Sequence, residues 1–412
     1  MDVIQAKVCI IGAGPAGIIT SLFLQKYGIS TILLEKEVFP RDKICGDGIS
    51  GWVVDVLELL DEDLLRRFHQ QNFAVPSYGM RFSSPNGTEI DIPFLQKRKI
   101  PEIPPGYIAP RKEFDNFFIT EIKDRAQHIK LIENQNVIDV HIDNDGALVK
   151  TQNGMKIKSE IVVLAAGAKQ DFQSKFSSYK MHDSNVMLGL KTYYKGITGL
   201  HPKNYIELHF IKALSPGYLW IFPQADGVSN VGVGISKETL HKEKINLKKV
   251  LLDAIETNPI LKNRFKNAQL IAPFEAHPLP LYYKKMPLSG NRFLLAGDSA
   301  GLIDPFTGEG IGHAALMGMF AAQTIKEAIR KDSFNADILI QYDNLLYRKI
   351  DKELNISKKL PKILKYNWLF NKAMKSVAKS PKLQHKLALT MSNLDERKKL
   401  NNIWHYIKHL FA

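Results

Sequence analysis

The sequence predicts an α/β protein in which a parallel sheet is interrupted by an inserted, mainly antiparallel sheet and followed by a helical C-terminal region. Three observations predict it. A glycine-rich segment, Val8-Cys9-Ile10-Ile11-Gly12-Ala13-Gly14-Pro15-Ala16-Gly17, opens the chain. A second, Phe293-Leu294-Leu295-Ala296-Gly297-Asp298-Ser299-Ala300-Gly301, returns late in it. Between them, from about 185 to 275, runs such as Tyr205-Ile206-Glu207-Leu208-His209-Phe210 and Val231-Gly232-Val233-Gly234-Ile235 have the texture of strands.

The first segment reads as a buried strand ending at Ile11, a sharp turn, and a helix beginning near Pro15. Gly12 permits the turn, Gly14 removes the side chain where backbone approaches a pyrophosphate, and Gly17 lets helix pack on strand. The free N–H groups and positive dipole end of that helix receive phosphate charge. Glu35, closing the run Thr31-Ile32-Leu33-Leu34 about twenty residues on, can accept hydrogen bonds from a ribose. Alone, this segment indicates a dinucleotide; with the second it indicates FAD. Asp298, at the end of a buried strand, can bind a ribityl hydroxyl. In the run Asp304-Pro305-Phe306-Thr307-Gly308-Glu309-Gly310-Ile311-Gly312, the glycines admit a flavin ring to backbone amides. A helix starting near Ile311 would point its positive end at that ring and stabilise its reduced form.

The expected architecture is thus a Rossmann-like FAD-binding domain of the glutathione-reductase type, carrying an inserted substrate sheet. It is discontinuous, taking residues 1–75, 101–180 and 276–335. The antiparallel sheet takes 76–100 and 181–275, and a basic helical region takes 336–412. Strands are expected at Leu131–Glu133, Val137–Val140, Ala147–Lys150 and Ile161–Ala168, and helices from Arg111 to Ala126 and from Ile311 to Arg330.

Composition narrows the class. With 45% hydrophobic and 24% charged residues, the chain has the balance of a soluble globular protein. No apolar stretch reaches the roughly 20 residues that span a bilayer. The first residues run straight into the nucleotide-binding strand, and the two cysteines, Cys9 and Cys45, argue against a disulfide framework, so a cytoplasmic location is expected. The net charge of +14 is concentrated: residues 348–412 hold sixteen Lys/Arg against four Asp/Glu. There Leu354, Ile356, Leu360, Ile363, Leu364, Trp368, Leu369 and Phe370 are spaced as short amphipathic helices broken at Pro361 and Pro381. Two readings stand, a solvated basic cap and peripheral contact with an anionic membrane face. No nucleic-acid recognition motif accompanies the charge, so no nucleic acid is expected.

Three further segments carry a narrower likeness. The chain resembles flavoproteins of the para-hydroxybenzoate hydroxylase superfamily and, within it, the geranylgeranyl reductase family. Phe39-Pro40-Arg41-Asp42-Lys43-Ile44-Cys45-Gly46-Asp47-Gly48 is similar to the reductases' proline–arginine–cysteine–glycine loop beside the flavin. Tyr218-Leu219-Trp220-Ile221-Phe222-Pro223, followed after eight residues by Gly232-Val233-Gly234, matches their aromatic substrate signature. Arg111 and Asp115 match their arginine–aspartate helix start. The resemblance covers residues 1 to about 330. It implies that Gly12, Gly14, Ala16, Gly17, Glu35, Arg111, Val137, Asp298, Gly308, Gly310 and Ile311 hold FAD, and that Cys45, Gly46 and Gly48 flank the ring. The superfamily's hydroxylases carry an Asp-Gly segment where this chain reads Ala166-Gly167-Ala168-Lys169-Gln170-Asp171, and the halogenases' tryptophan-x-tryptophan motif is not found.

Tyr218, Trp220 and Phe222 alternate and so share one strand face, with Pro223 ending the strand. They suit either a core or the roof of a cavity for an apolar chain, and the resemblance favours the roof. Cys9, on an apolar strand, is a small core residue. Cys45 could contact the ring, position substrate, supply a proton, or simply pack its loop. The expected function is reduction of carbon–carbon double bonds of an isoprenoid or similar long apolar lipid by hydride from N5 of reduced FAD. Cys45 is the candidate catalytic residue, and NAD(P)H or a ferredoxin-like protein the external electron donor. A flavin monooxygenase or halogenase of the same superfamily is the alternative, and a flavin-containing sensor a third reading.

Overall fold

The structure, a computed structural model, describes residues 3–95, 98–168 and 174–392. Its first sheet is built around Val3–Ile11, whose second half is apolar and buried on both faces, as a central parallel strand requires. Thr31–Leu34 and Lys156–Leu164 flank it in parallel, and Ile129–Ile132 and Phe293–Leu295 extend the sheet on either side. Ile11 stands level with Leu34 and Leu164, so three strands end together and their loops converge at one edge. Ligands of open α/β sheets bind at such an edge. Helices Pro15–Lys26 and Ile311–Arg330 pack on each other so closely that a side chain at Gly318 would press on Ala16 O.

The second sheet runs in the order Gln269–Leu270, Val186–Lys195, Val228–Ser236, Tyr218–Pro223, Ile206–His209, Gly79–Ser83, Glu89–Pro93. Its pairs are antiparallel except that Ile206–His209 lies parallel to Gly79–Ser83. Glu275–Pro280 also joins it, pairing with Val186–Lys191, so the sheet continues past the boundary expected at 275. The signal was masked by Pro278 and Pro280, which an edge strand tolerates. A small third sheet of Gly48–Ile49, Gly106–Ile108 and Val75–Ser77 ties the Cys45 loop to residues 106–108.

The C-terminal helices belong to the two cores. Ala336–Ser357 buries Tyr342, Leu346, Ile350 and Leu354 against the first domain. Asn367–Lys379 and Pro381–Ser392 contribute Met374 and Ala388 to the apolar cluster of the second sheet. The prolines start helices here instead of breaking them. Pro361 is the second residue of Leu360–Leu364 and Pro381 the first of Pro381–Ser392, positions where the missing N–H has no intrahelical partner to lose. Tyr366 and Trp368, by contrast, are 60% and 69% exposed. The Ile363 side chain, residues 393–412 and the stretch Lys169–Asp171 lie outside the described residues. Among the described residues no helix is long and apolar enough to cross a membrane.

Candidate active site

At the converging strand ends, Gly12 adopts φ 103°, and a Cβ there would meet Ala165 O; a Cβ at Gly17 would overlap Gly12 O. These two glycines are required by close packing within the chain. Gly14 is different. It caps Pro15–Lys26 without any side-chain bond to the helix amides, and the space its Cβ would occupy is open for 4 Å around. Gly167, beyond the neighbouring strand, faces open space in the same way. Free amides above an unfilled cradle fit the pyrophosphate of FAD, which Gly14 and the helix start would hold. Ala16 is buried on that helix, with its Cβ 3.3 Å from where a Cβ on Gly297 would stand.

Glu35 is buried, and its Oε2 accepts from Ala13 N at 2.9 Å while Oε1 accepts from Glu37 N at 3.1 Å. It therefore pins the glycine loop, with lone pairs left for a ribose. Val137 is buried at the head of a strand behind this loop, where Gln135 N donates to Glu35 O at 2.8 Å. Arg111 does not present its guanidinium outward. Asp115 takes it in bidentate fashion, at 3.0 and 2.6 Å, and also accepts from Arg41 Nη1 at 2.6 Å. Burial opposes the Arg111 charge, but the Asp115 carboxylate outweighs it and raises the group above the ordinary arginine range. Arg41 in turn donates to Ala13 O at 3.1 Å, so this buried trio props the glycine loop from behind.

The remaining candidates, Asp298 excepted, meet around one cavity of about 440 Å³. Cys45, Gly46, Gly48, Gly308, Gly310 and Ile311 line it from the first domain, and Tyr218, Trp220 and Phe222 from the second sheet. The three rings lie side by side at centroid separations of 6.3 and 6.4 Å. Phe222 packs on the backbone of Gly46 and Gly48, where a Cβ would come within 3.2 and 3.3 Å of the ring. Tyr218 Oη donates to Thr307 O at 2.6 Å and joins the roof to the second glycine cluster. That cluster contains Gly308 at φ 73° and Gly310 as the cap of Ile311–Arg330. One amide of this helix start is already engaged, because Glu309 Oε1 accepts from Gly312 N. Burial holds the Glu309 carboxyl above its usual range, opposed by His313 and that amide. Asp298 follows the strand Phe293–Leu295, half-buried, with Lys43 Nζ 3.8 Å away.

Burial pushes the Cys45 thiol up; Arg111 opposes this, and Asp47 adds to it. The thiol is therefore a protonated wall group. Several polar residues beside it escaped the sequence reading. Lys191, 2% exposed, also lines the cavity and bonds Glu275 at 3.0 Å and Tyr193 Oη at 3.2 Å. Lys43 Nζ lies 2.8 Å from His277 Nε2, and burial lowers its pKa. Asp47 and Asn230 join loop to sheet. A lysine on the strand face it shares with Met187, four residues earlier, was the one signal available for Lys191; nothing local marked Asn230.

Residues 5–90 match the model of an FAD binding domain, and residues 190–274 that of the geranylgeranyl reductase catalytic domain. The digeranylgeranylglycerophospholipid reductase of Thermoplasma acidophilum is 26% identical over 363 residues, covering 84% of each chain. Among solved structures, a geranylgeranyl bacteriochlorophyll reductase-like protein from Thermoplasma acidophilum superposes with a TM-score of 0.79 at 23% identity, over 97% of this chain and 99% of that one. A flavin-dependent brominase superposes with a TM-score of 0.76 at 22% identity, over 99% and 98%. These two likenesses show a common fold, and the matched domains distinguish the reductase branch. The chain is an FAD-dependent oxidoreductase that is geranylgeranyl reductase-like.

Proposed function

We propose that the enzyme reduces carbon–carbon double bonds of a long apolar lipid of isoprenoid type. The observation that carries this is the cavity, which runs from the Cys45 loop and Gly310 to an apolar wall of Met80, Met187, Leu208 and Leu279 under the Trp220 roof. FAD, when bound, supplies a hydride to one carbon of the double bond. Gly12, Gly14, Gly17 and Glu35 hold its dinucleotide end, and Gly308, Gly310 and Ile311 the side facing the cavity. Trp220 and Phe222 exclude water and press the lipid chain against the loop. Cys45 Sγ holds a proton at the cavity wall. The reductase named above, whose substrate carries geranylgeranyl chains, supports this class of lipid. Exposed Tyr366 and Trp368, with the exposed Lys362 and Lys365 beside them, support peripheral contact with an anionic membrane that stores such a substrate.

The test is anaerobic. FAD-loaded enzyme, reduced with dithionite and mixed with a geranylgeranyl phospholipid, should return its flavin absorbance to the oxidised form and yield a more saturated lipid. Reoxidation only after oxygen enters, with a hydroxylated or halogenated product, would overturn the reading in favour of an oxygenase or halogenase.

A further inference from the structure

Asp47 stands between two glycines in the Cys45 loop, with its backbone in the left-handed region (φ 66°) and only 1% exposed. Its Oδ2 accepts from Asn230 Nδ2 at 2.7 Å, from Tyr193 Oη at 2.8 Å and from Gln224 Nε2 at 2.8 Å. Oδ1 accepts from Arg111 N at 3.3 Å. The three side-chain donors come from the second sheet. Tyr193 lies on Val186–Lys195, Asn230 on Val228–Ser236, and Gln224 just after Tyr218–Pro223.

Asn230 extends the connection both ways. Its Nδ2 also donates to Cys45 O at 2.9 Å, and its Oδ1 accepts from Trp220 Nε1 at 2.8 Å. Asp47 N donates to Cys45 Sγ at 3.4 Å. One residue thus joins the thiol on the cavity floor, through its backbone N–H, to the indole in its roof, through its carboxylate and Asn230. Its counter-charge is one hydroxyl away, because Lys191 Nζ donates to Tyr193 Oη. Loop packing alone does not call for a carboxylate here. A buried charge is costly, and a left-handed non-glycine residue persists only where its surroundings over-determine it. A carboxylate is required because it only accepts, and four donors converge on it.

We infer that Asp47 is a positioning residue: it latches the Cys45 loop to the second sheet and sets where the Cys45 thiol stands relative to a lipid under Trp220. The inference rests on the proposed lipid site, but its principal readout does not.

That readout is alkylation of Cys45 by iodoacetamide in the FAD-loaded enzyme without lipid, where Cys9, fully buried, stays silent. Asp47→Asn keeps the size and suits a left-handed backbone, yet whichever way its amide turns an NH₂ group faces at least one donor, and the charge that holds the others is gone. Removing the charge also favours the thiolate, so rates are compared per thiolate from full pH profiles. Alkylation per thiolate should quicken about tenfold, and kcat fall by about tenfold with KM for the lipid moving far less. Tyr193→Phe leaves the carboxylate in place and should quicken alkylation about threefold. Unchanged alkylation per thiolate in either single variant would overturn the latch. Should Asp47→Asn fail to fold, Tyr193→Phe decides the question. A wild-type enzyme that leaves the lipid unreduced, while alkylation responds as stated, would retain the latch and remove the lipid reading.

Discussion

Cys45 is the opposite of a reactive cysteine in its electrostatics. Burial raises its pKa first, Asp47 adds to the shift, and the lowering by Arg111 and Lys43 does not overcome them. An acid whose folded pKa is raised stays protonated further up the pH scale. Alkylation of the native enzyme should therefore be slow at pH 8 and keep climbing above pH 9.0, the thiol's ordinary value, without levelling there. A plateau below pH 8 would mean a thiolate wall and a different chemistry. Gly12, Gly14, Gly17 and Glu35 were legible in sequence because the turn they serve is local. Asp47 was quoted with its loop but not read as a site residue, because its partners Tyr193, Gln224 and Asn230 are 146, 177 and 183 positions away.

The strand Tyr218–Pro223 explains the fixed spacing of the aromatic signature. In its hairpin register Trp220 lies opposite Gly232 and Tyr218 opposite Gly234. The indole lies across Gly232 so closely that a Cβ there would overlap both the ring and Leu190 O. At Gly234 a Cβ would first meet Met187 Sδ at 3.1 Å, on a side chain that can yield. Gly232→Ala should therefore cost about 1–3 kcal/mol of stability, and Gly234→Ala well under that, in denaturant unfolding of the FAD-loaded enzyme. Equal losses would show that the roof ring does not rest on Gly232. The alternation of Tyr218, Trp220 and Phe222 placed them on one face from sequence alone. Which face they met, and that Phe222 would close on Gly46 and Gly48, required the other domain.

Across the whole molecule, the basic C-terminal helices divide into a packed part and an exposed part. Ile350, Leu354, Met374 and Ala388 are buried, so deleting everything from 348 would damage both cores along with any membrane contact. Point changes separate the two. Trp368→Ala combined with Lys362→Glu and Lys365→Glu should weaken binding to phosphatidylserine vesicles by about tenfold or more in 0.1 M salt, given about 1 kcal/mol per basic residue near the surface. Unchanged binding would leave these lysines as a solvated cap. The sequence by itself determined the cofactor fold, because strand, glycine turn and helix start are fixed by steric and hydrogen-bonding needs within a few neighbouring residues. Only the tertiary structure decided how the Cys45 loop, the aromatic strand and the second glycine cluster close one cavity. Their contacts join segments far apart in the chain, and the carboxylate that binds loop to roof takes its meaning from donors no local pattern announces.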